Sequence, residues 1–191
     1  MKKPAWKEIF TIPNIICYVR IALIPVFCWI YITAQTPADY LWATAVVLFS
    51  SFTDLFDGMI ARKFNQVTQL GKILDPVADK LTHAAMAICV ATRYPLMWAL
   101  IALMAVKEGY MAIMGLRFLK KGKMMDGAMW FGKVCTATLF AGMCCLFFLY
   151  SLPKLAVNII IAVMMVVMAV TLCMYIPVYR KMGQETEAQG K

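Results

Sequence analysis

Asp54, Asp57, Asp75 and Asp79 are four of the ten acidic residues in the chain, and all fall in one stretch, TDLFDGMIARKFNQVTQLGKILDPVADK, residues 53–80. On either side the sequence is almost continuously apolar. Asp57 follows Asp54 by three positions and Asp79 follows Asp75 by four, so on helices each pair shares a face. Asp54, Asp57, Gly58, Ala61 and Arg62 then occupy an arc of about 140° on one helix. An aspartate near the centre of a bilayer costs roughly 2.5–3.5 kcal/mol on insertion scales. Four would cost on the order of 10 kcal/mol, comparable to the stability of a whole domain, so they do not face lipid. Ionised side by side, each raises the pKa of the others, and Arg62 and Lys80 supply two counter-cations at most. Divalent ions such as Mg²⁺ answer the excess charge, because they take carboxylate oxygens and are completed by substrate phosphates. Two such ions about 4 Å apart clamp both ends of a phosphoryl displacement. Gly58 and Ala61 leave room for a substrate against the backbone, and Arg62 suits bidentate phosphate binding. The competing reading of the same carboxylates is a proton or ion path.

The elements that must hold these residues are membrane spans. The chain is 63% hydrophobic and 15% charged, and apolar runs of about 18 or more residues read as spanning helices. Six such runs lie at about 14–34, 41–61, 75–93, 96–118, 129–150 and 155–178, which predicts an all-α, polytopic membrane protein with six transmembrane helices. Asp75-Pro76 reads as the start of the third, since proline suits a first helical turn. A loop of about a dozen residues then joins spans two and three as antiparallel neighbours. The net charge of +9 is explained by position rather than by nucleic acid, which is not expected as a partner. Lys2, Lys3, Lys7, Arg62, Lys63, Lys72, Arg117, Lys120, Lys121, Lys123, Lys133, Arg180, Lys181 and Lys191 fall at the ends and gaps of one side, against Arg93 and Lys154 on the other. The positive-inside rule places both termini and the acidic cluster at the cytoplasmic side of the cell membrane, where some cations also meet anionic headgroups. The N-terminal stretch reads as a retained first span rather than a cleaved signal. The seven cysteines sit in apolar segments without Cys-x-x-Cys spacing and read as packing residues. Residues 1–191 read as one domain, with a solvated, flexible tail from about 182.

The cluster has the form Asp-x2-Asp-Gly-x2-Ala-Arg-x8-Gly-x3-Asp-x3-Asp, met at Asp54, Asp57, Gly58, Ala61, Arg62, Gly71, Asp75 and Asp79. It closely resembles the signature of the CDP-alcohol phosphatidyltransferase family, and the six spans extend the likeness along the chain. The opening TIPNIICYVRIALIP is similar to the family's N-terminal stretch at Pro13, Asn14 and Arg20, and departs at Cys17, where threonine is common. The resemblance implies that an acceptor hydroxyl attacks the phosphorus bearing diacylglycerol in CDP-diacylglycerol and CMP leaves. It implies two Mg²⁺ or Mn²⁺ ions held by Asp54, Asp57, Asp75 and Asp79, with Asp79 also the general base. It assigns the cytidine nucleotide to Gly58, Arg62 and Thr68, helped by Asn14, and implies a homodimer.

The acceptor is read from the remaining cations. Glycerol 3-phosphate is an anion, and Lys107, Arg117, Lys133 and Arg180 are the candidates to hold it. Each has a plainer reading: Lys107 neutralised by Glu108, Arg117 snorkelling, Lys133 and Arg180 marking topology. KEGYMAIMGLR (107–117) and WFGKVCT (130–136) resemble stretches of phosphatidylglycerophosphate synthases, the first with lysine for arginine and two extra residues. Cardiolipin synthases of the same family, whose acceptor is phosphatidylglycerol, are the alternative. An intramembrane prenyltransferase uses a different aspartate spacing and more spans, and a transporter lines a whole path with ionisable residues. His83, one turn past Asp79, reads either as a residue tuning Asp79 or as a hydrogen-bonded core histidine.

Overall fold

The computed structural model describes residues 11–63, 71–120, 129–149 and 151–188, and within these the side chains of 12–13, 54–63, 72–73, 120 and 185–188 are outside the description. The regular structure of the described residues is helical: α1 Ile12–Thr33, α2 Pro37–Lys63, α3 Gly71–Ala91, α4 Met97–Lys120, α5 Trp130–Phe148 and α6 Lys154–Ala188. Stretches of α1, α4, α5 and α6, over Asn14–Thr33, Met97–Leu119, Trp130–Phe148 and Lys154–Gln184, are long and apolar enough to cross a membrane. At 1.5 Å per residue, α2 with 27 residues and α3 with 21 are about 40 and 31 Å long. Their length suffices for a bilayer core of roughly 30 Å, but the acidic motif dilutes their apolar character.

Three boundaries differ from the sequence reading. The third helix starts at Gly71, a turn before Asp75-Pro76. Pro76 forfeits only the bond to the carbonyl four residues back, near the helix end, and membrane helices tolerate such a loss. The second helix runs on to Lys63, past the end at about 61 that the sequence suggests, and residues 64–70, where the connecting loop is expected, lie outside the described residues. The last helix continues through Ala188, past position 182, where the sequence reads as a tail. Its polar residues Gln184, Glu185 and Glu187 are sound helix formers, and propensity there outweighs the loss of apolar pattern.

The described residues divide into two compact units: 1–93 with 143–151, and 94–142 with 152–191. In the first, α1 packs along both α2 and α3. Its contacts with α3 keep one register from end to end. Cys17 meets Asp75, Arg20 meets Asp79 and Ala34 meets Arg93, at sequence separations of 58, 59 and 59. A constant separation means that α1 and α3 run parallel. At the far end, the Arg93 guanidinium lies 4.7 Å from the centre of the Tyr40 ring and 5.6 Å from that of Tyr31, and donates to the Ala34 carbonyl. One of the two cations on the sparsely charged side is therefore held by aromatic faces. Phe27, Tyr31 and Phe147 form a buried aromatic cluster, Phe147 edge-on to Phe27 and tilted against Tyr31. The α1–α2 corner is fixed by Asp39, whose carboxylate accepts the backbone N–H groups of Gln35 and Thr36. In the second unit α4 packs on α6, around a core of Phe118, Phe131, Tyr175 and Tyr179.

Candidate functional site

Asp75 and Asp79 stand about 40° apart on one face of α3, and α1 meets that face. Asn14, Cys17 and Arg20 recur on α1 at steps of three, within an arc of about 120°. They are 0%, 0% and 3% exposed, a polar stripe wholly withdrawn from lipid. The Cys17 thiol donates to Oδ1 of Asp75 at 2.8 Å. The Arg20 guanidinium donates through Nη2 to Oδ1 of Asp79 at 2.5 Å. Two rungs therefore tie α1 to the second half of the acidic motif. The Asp79 side chain remains 45% exposed, so the carboxylate expected to meet substrate is open while its cation is buried.

A carboxylate has about four lone-pair positions on its two oxygens, and one hydrogen bond leaves the others for a metal. The pair Asp75 and Asp79 is thus a fitting half of a hard-cation site. Asp54, Asp57, Gly58 and Arg62 lie on α2, whose backbone is described there, but their side chains are outside the described residues, as is Thr68 altogether. Among the described residues no group of three or more acid, cysteine or histidine side chains is placed to hold a metal ion. The Nδ1 of His83 lies 2.9 Å from the main-chain carbonyl oxygen of Asp79. It meets the backbone of that residue rather than its carboxylate, which favours the structural role over the tuning one.

Of the four acceptor candidates, three share one end of the second unit. Phe118 stacks on Tyr179 with ring centres 5.9 Å apart, and Phe131 meets Tyr175 at 4.7 Å. The end of α4, the start of α5 and the last turns of α6 are therefore neighbours, and Arg117, Lys133 and Arg180 are exposed there. Lys107 stands apart, about 15 Å back along α4 from Arg117. It is 5% exposed and its ammonium binds the Glu108 carboxylate at 2.9 Å. The two partners of this ion pair are neighbours on one helix. The Gly-Lys-x-x-Thr segment also resolves into separate duties. Thr136 donates to the Gly132 carbonyl, and Gly132 faces the Tyr175 hydroxyl so closely that no side chain fits. Only Lys133 of that segment is left for a ligand.

Arg20 and Cys17 were not among the residues that the motif alone singles out. The signal was present for Arg20: an arginine inside an apolar span is a functional pointer in itself, and its i−6 neighbour Asn14 is polar.

Comparison with known proteins adds independent observations. The profile of the family described as CDP-alcohol phosphatidyltransferase matches residues 10–176. A cardiolipin synthase (CMP-forming)/mitochondrial hydrolase fusion protein of Schizosaccharomyces pombe is 39% identical over 93 residues, covering 49% of this chain and 15% of that protein. A cardiolipin synthase (CMP-forming) of Streptomyces coelicolor is 32% identical over 112 residues, 57% of this chain and 52% of the relative. A CDP-diacylglycerol–glycerol-3-phosphate 3-phosphatidyltransferase of Pectobacterium atrosepticum is 35% identical over 130 residues, 66% of this chain and 71% of the relative. The chain thus spans about half or less of the first two relatives and more of the third.

Proposed function

The chain belongs to the CDP-alcohol phosphatidyltransferase family, and from that we propose that it makes phospholipid by transferring a phosphatidyl group from CDP-diacylglycerol to glycerol 3-phosphate, releasing CMP. The observation that carries the reading is the pair Asp75 and Asp79, side by side on α3 and each fixed from α1, within the family's motif. In the proposal Asp54, Asp57, Asp75 and Asp79 hold two Mg²⁺ or Mn²⁺ ions. Those ions, when bound, neutralise the pyrophosphate and ease the departure of CMP. Asp79, the more open carboxylate, takes the proton from the acceptor hydroxyl as its oxygen attacks phosphorus. Asn14, Gly58, Arg62 and Thr68 bind the nucleotide. Arg117, Lys133 and Arg180, exposed at one end of the second unit, are the cations for the acceptor phosphate.

Residues 1–191 act in this reading as one family domain with six spans, both termini and the active site cytoplasmic in the cell membrane, and as a homodimer. Trp29 at the end of α1 and Trp42 at the start of α2 are exposed, as expected of residues in an interfacial aromatic belt. The Lys107–Glu108 pair supports a second reading. It removes one of four cations from the service of an anionic headgroup, which favours a lipid acceptor, phosphatidylglycerol, as in a cardiolipin synthase.

An acceptor panel tests the proposal. Purified protein in detergent, given CDP-diacylglycerol and Mg²⁺, releases CMP with glycerol 3-phosphate and not with serine or inositol phosphate. Release with phosphatidylglycerol alone transfers the case to the second reading. Turnover of a prenyl diphosphate in place of CDP-diacylglycerol overturns both.

A further inference from the structure

The first helix is conspicuous for what it buries. Taking a guanidinium out of water is expensive unless it is paired, yet Arg20 is 3% exposed and lies against a carboxylate of the proposed metal site. One helical turn away, Cys17 is wholly buried and spends its weak S–H donor on the other carboxylate of α3. The two donors are three residues apart and the two acceptors four, which is what parallel helices in constant register bring together. The register is set again about 21 Å away along α1, where Arg93 clasps Tyr31, Tyr40 and the Ala34 carbonyl. A carboxylate on a bare helix samples several rotamers. Each of these has one oxygen held.

We infer that α1 is a wall of the metal site, and that Arg20 and Cys17 are positioning residues which fix the carboxylates of Asp79 and Asp75 for the ions and the reacting hydroxyl. The inference rests on the proposed metal-dependent transfer. Both residues act through the aspartates and neither needs to touch substrate. Partners of this kind, one bond removed from a metal, typically cost 10–100-fold in metal affinity or activity when lost.

Threonine and valine at position 17 supply the decisive comparison. They have the same shape, and only threonine can donate to Asp75. Cys17→Thr keeps Mn²⁺ affinity, read by the free-ion electron paramagnetic resonance signal in detergent, within about threefold of wild type. Cys17→Val weakens it by 10–100-fold. If Cys17 is packing alone, valine does as well as threonine or better, and that result overturns its role. For position 20, Arg20→Lys keeps the charge and loses the planar fork. Its kcat falls by 10–100-fold while the KM for CDP-diacylglycerol stays within about threefold and the melting temperature stays near that of wild type. Wild-type Mn²⁺ affinity and kcat in Arg20→Lys overturn the role of Arg20. A parallel fall in melting temperature and in every kinetic constant does so too, because it marks a purely structural residue. Asp75→Asn and Asp79→Asn serve as controls. If neither weakens Mn²⁺ binding, the metal reading itself fails; if both do and the α1 variants do not, only the wall is lost.

Discussion

Gly132→Ala tests the packing of the second unit with a magnitude that the structure supplies. A Cβ at Gly132 falls 2.3 Å from the Tyr175 hydroxyl oxygen, against 3.4 and 3.7 Å from the nearest ring carbons. The oxygen is therefore roughly 1 Å inside ordinary contact distance. Tyr175 is buried and wedged between Phe131 and Tyr179, with ring centres 4.7 and 6.1 Å away, so the ring cannot swing clear without disturbing both. Overpacking of this kind costs about 1–3 kcal/mol. Replacing glycine by alanine in a helix returns up to about 1 kcal/mol, less in the first turn where Gly132 sits. Gly132→Ala alone should then destabilise by up to about 3 kcal/mol. In a Tyr175→Phe background the offending oxygen is gone, the ring carbons are at contact distance, and the same substitution becomes neutral or stabilising. The coupling between the two positions is thus favourable by at least about 1 kcal/mol. Unfolding by sodium dodecyl sulfate in mixed micelles, followed by tryptophan fluorescence, measures all four corners of the cycle. An alanine at 132 that costs the same with and without the tyrosine hydroxyl refutes the close approach.

Asp79→Asn should lower kcat by about 10²–10⁴-fold with nucleotide binding largely kept; retention of more than about a tenth of the activity removes Asp79 from the role of base. Chelation of divalent ions should stop CMP release and added Mg²⁺ or Mn²⁺ restore it, and release that persists in excess chelator contradicts the two-ion reading. Asp39 supplies a pH dependence: its hydrogen bonds from the Thr36 backbone first, then that of Gln35, hold its carboxyl below the usual carboxylate range. A depressed folded-state pKa stabilises above the unfolded value, near pH 4, and the benefit drains as pH falls through the folded value. Asp39→Asn should therefore lose less stability than wild type between pH 5 and pH 3 in the same unfolding assay; equal losses dismiss the cap.

How far the sequence reveals the molecule depends on the signal in question. Six apolar runs correspond to the six helices among the described residues because hydropathy is a property of local composition, and the interior of each element follows from it. Helix ends are set by weaker forces. Pro76 reads as a start because proline is tolerated early, but a proline also survives a turn inside a membrane helix, and α3 begins at Gly71. The charged end of α6 reads as a tail because apolar pattern fades there, while helix propensity does not. The acidic motif is legible since its carboxylates are too costly to be incidental. Its partners on α1 are harder to read, because which residue of a distant helix meets Asp75 is decided by register between elements. Cys17 illustrates the limit. By composition it is one more apolar filler, and only the parallel packing of α1 on α3 turns its thiol into a donor to a carboxylate.

Arg20 also changes the charge balance of the site. The motif stretch sets four aspartates among Arg62, Lys63, Lys72 and Lys80, and a further cation enters from α1 against Asp79. Among the described residues, that cation relieves part of the repulsion between the Asp75 and Asp79 carboxylates, which share one face of α3. The cation is also graded by depth, buried where it holds Asp79 and distant from solvent exchange, while the Asp79 side chain is 45% exposed. Two divalent ions held there would add four positive charges to the cluster. An anionic pyrophosphate is what then restores neutrality, and in a medium of low dielectric this attraction is little screened. The buried arginine, fixed beside Asp79, would add its charge to that attraction.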